Sequence, residues 1–236
     1  MIHIQDFTFN SFQTRCSVVW DDSLSCAIVD PGCSSDAEIS ELTSFISSRG
    51  LKPVCIMLTH GHFDHVLGVA DLVSRYDNLP VYMHPADKAT LAGNEYFTKW
   101  FGAPLPASFE TVDICEACPS EGRTDGPDGQ KCISVIEVGG LRFKVIETPG
   151  HTPGGVSFYE PAEKVLFSGD SLFAGAIGRT DHPGGDYEML MKSILGKLVT
   201  LEGSVSVIPG HGPCTDIARE GMTNPFLLPF NEPYED

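Results

Sequence analysis

The residues best suited to chemistry lie in one short segment, T-H-G-H-F-D-H at positions 59–65. Imidazole nitrogens and carboxylate oxygens without thiolates suit zinc, iron or manganese. His60 and His62 point to the same side because they lie two apart in an extended segment, whereas Asp64 and His65 follow where the chain turns. The spacing therefore favours two metal ions over one and requires more ligands from elsewhere. A histidine-rich surface turn is the alternative, although H-x-H-x-D-H has few purely structural uses.

A strand and a helix must position this segment. Residues 54–58 form an apolar run of strand length, and residues 66–73 are apolar with helical spacing. The segment is therefore predicted to be a strand-to-helix turn. Layered α/β proteins place ligand sites at such turns, because rigid elements on both sides hold an otherwise exposed loop.

Further candidate ligands lie at the ends of three other apolar runs. They are His151 in T-P-G-H-T-P-G, Asp170 in S-G-D and His211 in P-G-H-G. The neighbouring glycines permit the tight backbone that aims a side chain inward. Taken singly, each of these residues could be an ordinary core or turn residue. Their joint occurrence favours convergence on one site.

The remaining pattern leads from strands to helices in both halves of the chain. Strands are predicted at 2–4, 16–20, 25–29, 80–83, 134–138, 141–146, 156–159, 165–168 and 205–208. Helices are predicted between Ser35 and Gly50, in two short pieces within 85–102, and after Asp186, which can cap a helix. This order predicts two sheets packed face to face with helices outside.

Length and charge restrict the class of protein. The 236 residues are enough for one core and one domain, 1–236, with a surface insertion at 103–132 that is rich in proline, glycine, aspartate and serine. A net charge of −17 repels phosphate backbones and anionic lipids, which argues against nucleic-acid partners. No apolar stretch approaches the roughly 20 residues of a membrane span, and the first residues do not resemble a signal peptide. We therefore expect a soluble, cytoplasmic protein without a membrane partner.

The eight cysteines are scattered, and several lie in apolar strand-like runs, where a reduced cysteine behaves as a small hydrophobe. A reducing compartment is therefore expected. Cys115, Cys118 and Cys132 have half of a zinc-knuckle spacing, so they form either a structural metal site or redox pair, or ordinary loop thiols. Unchanged metal content in a Cys115→Ser, Cys118→Ser double mutant would exclude the metal.

An aromatic cluster lies within the 85–102 segment, which contains the two short helical pieces. It consists of Tyr96, Phe97, Trp100 and Phe101. The cluster either lines a substrate pocket or provides buried packing for a small helix, and the sequence supports both interpretations.

Motifs along nearly the whole chain carry a family resemblance. They are F-T-F-N-S-F-Q at 7–13, V-D-P-G at 29–32, T-H-G-H-F-D-H, T-P-G-H-T-P-G, S-G-D, G-R-T-D at 178–181 and P-G-H-G. In this order they resemble the metallo-β-lactamase superfamily and its short glyoxalase II-like branch. The resemblance implies an α/β fold, a four-layer αβ/βα sandwich in which two mixed β-sheets are flanked by helices.

The resemblance also implies roles for individual residues. It assigns His60, His62 and His151 to a first metal, assigns Asp64, His65 and His211 to a second, and places Asp170 as a bridge between the two. Asp30 is implied as an outer carboxylate that orients the ligands. His182 matches no ligand position in the family. Because it lies close to Arg179 in the sequence, these two residues are the candidate substrate contacts, with a solvated loop histidine as the alternative for His182.

The implied activity is hydrolysis of a small-molecule thioester, from an S-2-hydroxyacyl thiol to a 2-hydroxy acid and a thiol. Two divalent metal ions, zinc first and iron or manganese as alternatives, would hold a bridging hydroxide as nucleophile. Asp64 and Asp170 would position the hydroxide, and Asp64 would accept its proton. Larger glyoxalase II enzymes grip glutathione with a C-terminal helical region, whereas only a short stretch follows His211 here. The thiol carrier therefore stays open.

Other activities would use the same residues. A mononuclear Fe(II) persulfide dioxygenase would need only His60, His151 and Asp170, a two-histidine, one-carboxylate face suited to iron and O₂. A lactonase, a β-lactam hydrolase and a metal-holding module without catalysis are further alternatives. The charge of −17 argues against phosphodiesterases that act on nucleic acid. These residues favour no particular oligomeric state.

Overall fold

The first half of the chain builds a six-stranded mixed sheet. A computed structural model describes residues 1–77, 79–116 and 132–228. The strands of this sheet are β1 (His3–Phe9), β2 (Thr14–Trp20), β3 (Ser25–Val29), β4 (Lys52–Met57), β5 (Val81–Met83) and β6 (Val112–Asp113). They lie side by side in chain order. The first three are antiparallel, and β3 to β6 are parallel.

The second half builds another six-stranded mixed sheet. Its strands are β7 (Val135–Val138), β8 (Leu141–Glu147), β9 (Val156–Glu160), β10 (Val165–Gly169), β13 (Ser206–Pro209) and β14 (Thr215–Asp216). They lie in the order β14-β13-β10-β9-β8-β7, and only β10 and β13 are parallel. A small hairpin pairs β11 (Leu172–Phe173) with β12 (Ala176–Ile177).

Helices connect and cover the sheets. They are α1 (Asp36–Ser48), α2 (Phe63–Val66), α3 (Val69–Arg75), α4 (Lys88–Phe101), α5 (Tyr187–Ser193) and α6 (Ile217–Thr223). A 3-10 turn, Pro85–Asp87, leads into α4, and a π-helical turn, Ile194–Leu198, extends α5. The caps agree with the sequence, because Ser35 and Asp186 accept hydrogen bonds from backbone N–H groups at the starts of α1 and α5.

Alternating side chains separate the core into layers. In β2, Val18 packs against α1 and α3, whereas Val19 packs between the two sheets. Ile56 and Met57 divide in the same way in β4. A third cluster joins the second sheet to α5, the π-helical turn and α6. The order of layers is therefore helix, sheet, sheet, helix, which confirms the predicted α/β sandwich.

One predicted helix is divided in the structure. The segment 66–73 was expected to be a single helix, but α2 ends at Val66 and α3 begins at Val69. Gly68 lies in the break, where a Cβ would come within 2.9 Å of the Cys33 Cβ and 3.0 Å of the Pro31 carbonyl oxygen. The chain therefore turns at Gly68 because it packs closely against the end of β3.

Two expectations concern the 103–132 segment. The surface insertion within a single domain stays a prediction, because residues 117–131, including Cys118, lie outside the described residues. Cys115 and Cys132 are both buried. Burial and a hydrogen bond between their thiols raise the pKa of Cys115 to about 12.

In the part of the chain that the structure describes, no helix is both long and apolar enough to cross a lipid bilayer.

We expect opposite stability effects from two glycine substitutions. A Cβ meets nothing within 4 Å at either Gly196 or Gly50, but Gly50 has a φ of +66° at the end of α1. Gly196→Ala should stabilise the protein by about 0.5–1 kcal/mol, because alanine loses less backbone entropy in a helical turn. Gly50→Ala should destabilise it by roughly 1–2 kcal/mol. Urea titration of both variants measures the two changes, and shifts of the same sign would contradict this explanation.

Candidate metal centre

Ligand-capable side chains from four strand ends meet at one edge of the sandwich. The segment 59–65 follows β4, and its last residues begin α2. His151 follows β8, Asp170 follows β10 and His211 follows β13. The structure thus brings together all seven residues to which the sequence assigned metals, and it arranges six of them in two triads.

The first triad consists of His60, His62 and His151, all of them buried. Their ligand atoms lie within 4.8 Å of one another. The Nδ1 atom of His62 lies 3.0 Å from Nε2 of His151. The three rings meet nearly edge to face, at interplanar angles of 80–88°. Three imidazole nitrogens therefore point at a common volume.

The second triad consists of Asp64, His65 and His211. The His65 Nε2 atom lies 3.5 Å from Asp64 Oδ2 and 3.3 Å from His211 Nε2. The His211 Nε2 atom lies 3.4 Å from the same Asp64 oxygen. One carboxylate oxygen and two ring nitrogens therefore converge on a second volume.

Asp170 lies between the two triads. Its Oδ2 atom is 3.5 Å from Nε2 of His151 and 3.5 Å from Nε2 of His211. Its Oδ1 atom is 3.5 Å from Nε2 of His65. The carboxylate thus faces ligands of both triads.

These distances fit divalent metal ions. A tetrahedral ion with bonds of about 2.0–2.1 Å keeps its ligand atoms roughly 3.3 Å apart. The closest pairs within the two triads are 3.0–3.5 Å apart. In addition, the buried Nε2 of His60 has no hydrogen-bond partner among the residues that the structure describes. A buried polar atom of this kind needs an explanation, and a metal ion provides one.

Burial and neighbouring charges set the protonation of these residues. Burial lowers the pKa of His62 to about 3. Burial alone would raise the pKa of Asp64, but the charge of His65 and hydrogen bonds from His211 and Thr14 together outweigh it, and the pKa falls to about 2. Burial opposes protonation of His211 as well, yet its contacts with the carboxylates of Asp170 and Asp64 together raise the pKa to about 9. At neutral pH, Asp64 is ionised and His62 is neutral, the forms that bind metal, whereas His211 must release a proton to do so.

Asp30 orients the ligands from behind, where the sequence predicted an outer carboxylate. The backbone N–H and hydroxyl of Thr59 donate to its two oxygens over 2.8 and 2.6 Å. Its Oδ2 atom also lies 3.1 Å from Nδ1 of His65. The Thr59 hydroxyl in turn lies 3.1 Å from Nδ1 of His60. One buried carboxylate therefore positions a histidine in each triad.

Backbone carbonyls hold two other ligands. Nδ1 of His151 lies 2.8 Å from the carbonyl oxygen of Arg179, and Nδ1 of His211 lies 3.1 Å from that of Phe12. These contacts leave the Nε2 atoms facing the centre. The G-R-T-D motif therefore contributes to the site through the main-chain carbonyl of Arg179, which holds the ring of His151.

The candidate substrate contacts lie at the rim of the centre. The exposed Arg179 side chain forms a two-pronged ion pair with Asp181, over 2.8 and 3.2 Å. The His182 ring is half-buried, with Nε2 3.4 Å from Nδ1 of His151. His182 is therefore not a loop histidine surrounded by solvent. Both residues line the cavity above the triads, so both stay candidates for substrate contact.

Sequence analysis missed Asp87, a buried carboxylate that connects the two loops of the first triad. It accepts hydrogen bonds from the N–H groups of Gly61 and Gly154, each over 2.7 Å, and from the Thr152 hydroxyl over 2.9 Å. Burial raises its pKa, while these hydrogen bonds oppose the rise. Its one sequence signal was an aspartate shortly after a strand, as in the S-G-D motif.

We expect Asp87→Asn to weaken metal binding by about 10–100-fold, the usual effect of losing an outer partner of a ligand. The amide would direct an N–H group at the N–H of Gly61 or Gly154. Zinc titration against a chelator of known affinity measures the change. Asp186→Asn is the matched control, because asparagine also caps a helix. Equal zinc affinities in the two variants would show that Asp87 does not position the first triad.

A cavity of about 490 Å³ opens above the two triads. One side of it is an aromatic wall, which consists of Phe12, Phe63, Tyr96, Trp100 and Phe101. Tyr96, Trp100 and Phe101 keep 58%, 75% and 47% of their surface exposed. Buried packing was therefore the wrong alternative for these three residues, and they line a pocket. The side chain of Phe97 lies outside the described part of the structure.

Known proteins are similar to this chain along most of its length. The family model of the metallo-beta-lactamase superfamily matches residues 10–211. Hydroxyacylglutathione hydrolase GloC of Haemophilus influenzae is 35% identical over 227 residues, which cover 96% of this chain and 98% of that protein.

Solved structures are similar over the same extent. The structure of BLEG-1 B3 metallo-beta-lactamase superposes with a TM-score of 0.81 at 34% identity, covering 95% of this chain and 99% of that one. TTHA1623 in a di-iron-bound form superposes with a TM-score of 0.78 at 35% identity, covering 94% and 100%. Motifs, fold and relatives agree, and the chain belongs to the metallo-beta-lactamase superfamily.

Proposed function

We propose that this protein hydrolyses thioesters, splitting an S-2-hydroxyacyl thiol into a 2-hydroxy acid and a thiol. The observation that carries the proposal is the position of Asp170, whose two oxygens face ligands of both triads at 3.5 Å. A shared carboxylate of this kind suits a pair of ions at a hydrolytic centre. The name of the relative GloC, hydroxyacylglutathione hydrolase, supports the same reaction.

The donor set suits two divalent ions, with zinc as the first choice and iron or manganese as alternatives. His60, His62 and His151 would hold one ion, Asp64, His65 and His211 the other, and Asp170 both. When bound, the ions supply Lewis acidity and lower the pKa of water towards about 7. The di-iron form of TTHA1623 is the reason to retain iron as an alternative.

Two aspartates orient the attacking water, and one of them deprotonates it. Asp64 and Asp170 accept its hydrogen bonds and direct its oxygen at the thioester carbonyl carbon. Asp64 takes the proton and passes it on when the tetrahedral intermediate collapses. The departing thiolate, whose parent thiol has a pKa of about 8.5, receives that proton. This proton path needs no separate general acid.

The test is turnover of an S-lactoyl thioester by the zinc-loaded protein, followed as loss of the thioester and release of free thiol. We expect turnover that stops when a chelator removes the metal and returns when zinc is added. Removal should also lower the melting temperature, because ions that bind only the folded state stabilise it. A fully loaded protein that leaves S-lactoyl thioesters intact would refute the proposal.

A separate experiment tests the dioxygenase alternative. It would use three of the seven side chains and give no role to the second triad. We expect the iron-loaded protein to consume no O₂ with glutathione persulfide. Oxygen uptake without thioester turnover would replace the proposed hydrolysis with oxidation.

A further inference from the structure

The aromatic wall is a continuous surface that begins at the metal centre. The Phe12 ring meets the Phe63 and Phe101 rings edge to face, with centroids 5.0 and 5.3 Å apart. Tyr96 and Trp100 stack one turn apart on α4, with centroids 6.4 Å apart. The same cavity is lined by Asp64 and other residues of both triads. A molecule held at the metals therefore extends naturally across this wall.

A second hollow prolongs the cavity along α4. It has a volume of about 280 Å³ and shares Tyr96 and Pro183 with the first. Its remaining lining is small and uncharged. These residues are Ala89, Thr90, Gly93, Pro153 and Gly184. An elongated apolar group that passes Tyr96 can therefore enter the hollow without burying any charged side chain of the lining.

The charges around the cavity do not suit an anionic thiol. Among its lining residues in the described structure, Arg179 is the one lysine or arginine, and Asp181 already pairs with it. The chain as a whole carries a net charge of −17. Glutathione has more carboxylates than ammonium groups at neutral pH, and away from the metal ligands the lining offers those carboxylates no lysine or arginine other than the paired Arg179.

We propose that the thiol carrier of the substrate is an uncharged, largely apolar thiol that packs on the aromatic wall, rather than glutathione. This inference rests on the proposed thioester hydrolysis and names the carrier for it. A 2-hydroxyacyl end is small and polar and belongs at the metals, which leaves the wall and the hollow beside α4 for the sulfur side. Apolar lining with a few polar groups at one end is the usual construction of a small-molecule site.

Binding of inert analogues tests the carrier without turnover. In 2-hydroxypropyl thioethers, a CH₂ group replaces the carbonyl of a lactoyl thioester, so no hydrolysis occurs. Calorimetric titration of the zinc-loaded protein compares the benzyl thioether with the glutathione thioether. We expect the benzyl compound to bind at least about tenfold more tightly, as one good aromatic contact allows. Tighter binding of the glutathione compound would overturn the inference.

Matched variants locate the contact. Trp100→Ala should weaken binding of the benzyl thioether by about tenfold and that of the glutathione thioether by less than about twofold. Tyr187→Ala is the control, because this aromatic residue on α5 is 49% exposed and does not line the cavity. Equal losses for both thioethers, or no loss for either, would contradict a carrier site at Trp100. A carrier site at Trp100 would also be contradicted if the aromatic wall joins two copies of the chain. In that case Trp100→Ala would lose a dimer, while its affinity for the benzyl thioether would stay unchanged.

Turnover separates this inference from the proposed function. We expect the benzyl thioester of lactate to have the higher kcat/KM, and Trp100→Ala to raise its KM with kcat nearly unchanged. Faster hydrolysis of S-lactoylglutathione would overturn the apolar carrier and leave thioester hydrolysis intact. If the protein hydrolysed neither thioester but still bound the benzyl thioether more tightly than the glutathione thioether, the proposed hydrolysis would be overturned and the apolar binding site would stand.

Discussion

Asp170→Asn is expected to abolish thioester turnover, with a loss of more than about a thousandfold, well beyond the 10–100-fold that follows loss of an outer partner. The wild-type carboxylate is held in its charged form. Burial opposes this, but the charge of His65 and hydrogen bonds from His65 and His211 lower the pKa of Asp170 well below its usual range. An amide keeps the shape but lacks the charge that two cations require of a shared ligand. Metal content should therefore fall from two ions towards one.

The measurement for Asp170→Asn combines initial rates with elemental analysis of the same preparation. Asp71→Asn is the matched control, because Asp71 is an exposed carboxylate on α3. The control should keep both ions and full turnover. If Asp170→Asn kept wild-type activity, Asp170 would not be the shared ligand that the distances suggest.

Gly210→Ala is expected to damage the centre even though it adds a single methyl group. A Cβ at this buried position would lie 2.3 Å from Asp170 Oδ1 and 2.8 Å from Cε1 of His65. Neither atom can yield without moving a candidate ligand. Activity should therefore fall by more than about a hundredfold, as expected when ligands move by about 1 Å.

Circular dichroism, metal content and initial rates together test the Gly210→Ala prediction. The spectrum should stay folded while the metal content drops. Gly196→Ala is the matched control, since the same methyl group meets nothing within 4 Å there. Full metal content in Gly210→Ala would mean that the backbone near His211 shifts freely, against the close packing described above.

Local sequence patterns were sufficient to predict the main elements and the turns that carry the ligands. A short apolar run after a turn placed β3, and the Asp186 cap placed α5, because both signals lie within a few residues of the element. The spacing within residues 59–65 separated His60 and His62 from Asp64 and His65, and the family resemblance then assigned His151 and His211 to the two groups. These signals depend on residue type and short spacing, which a sequence displays directly.

Long-range contacts of the main chain could not be predicted in this way. The carbonyl of Phe12 reaches the ring of His211 across 199 positions, and the carbonyl of Arg179 reaches the ring of His151 across 28 positions. A carbonyl group is present in every residue and therefore carries no sequence signature. Asp87 escaped notice for a related reason, because two of its four hydrogen-bond donors are backbone N–H groups of glycines and the other two are threonine hydroxyls.

Anomalous diffraction from crystals of the zinc-loaded protein, recorded on both sides of the zinc absorption edge, tests the central claim most directly. The account predicts two peaks about 3.5–4 Å apart. One peak should be bound by His60, His62 and His151, the other by Asp64, His65 and His211, with Asp170 contacting both. A single peak, or two peaks without Asp170 between them, would contradict a dinuclear hydrolytic centre.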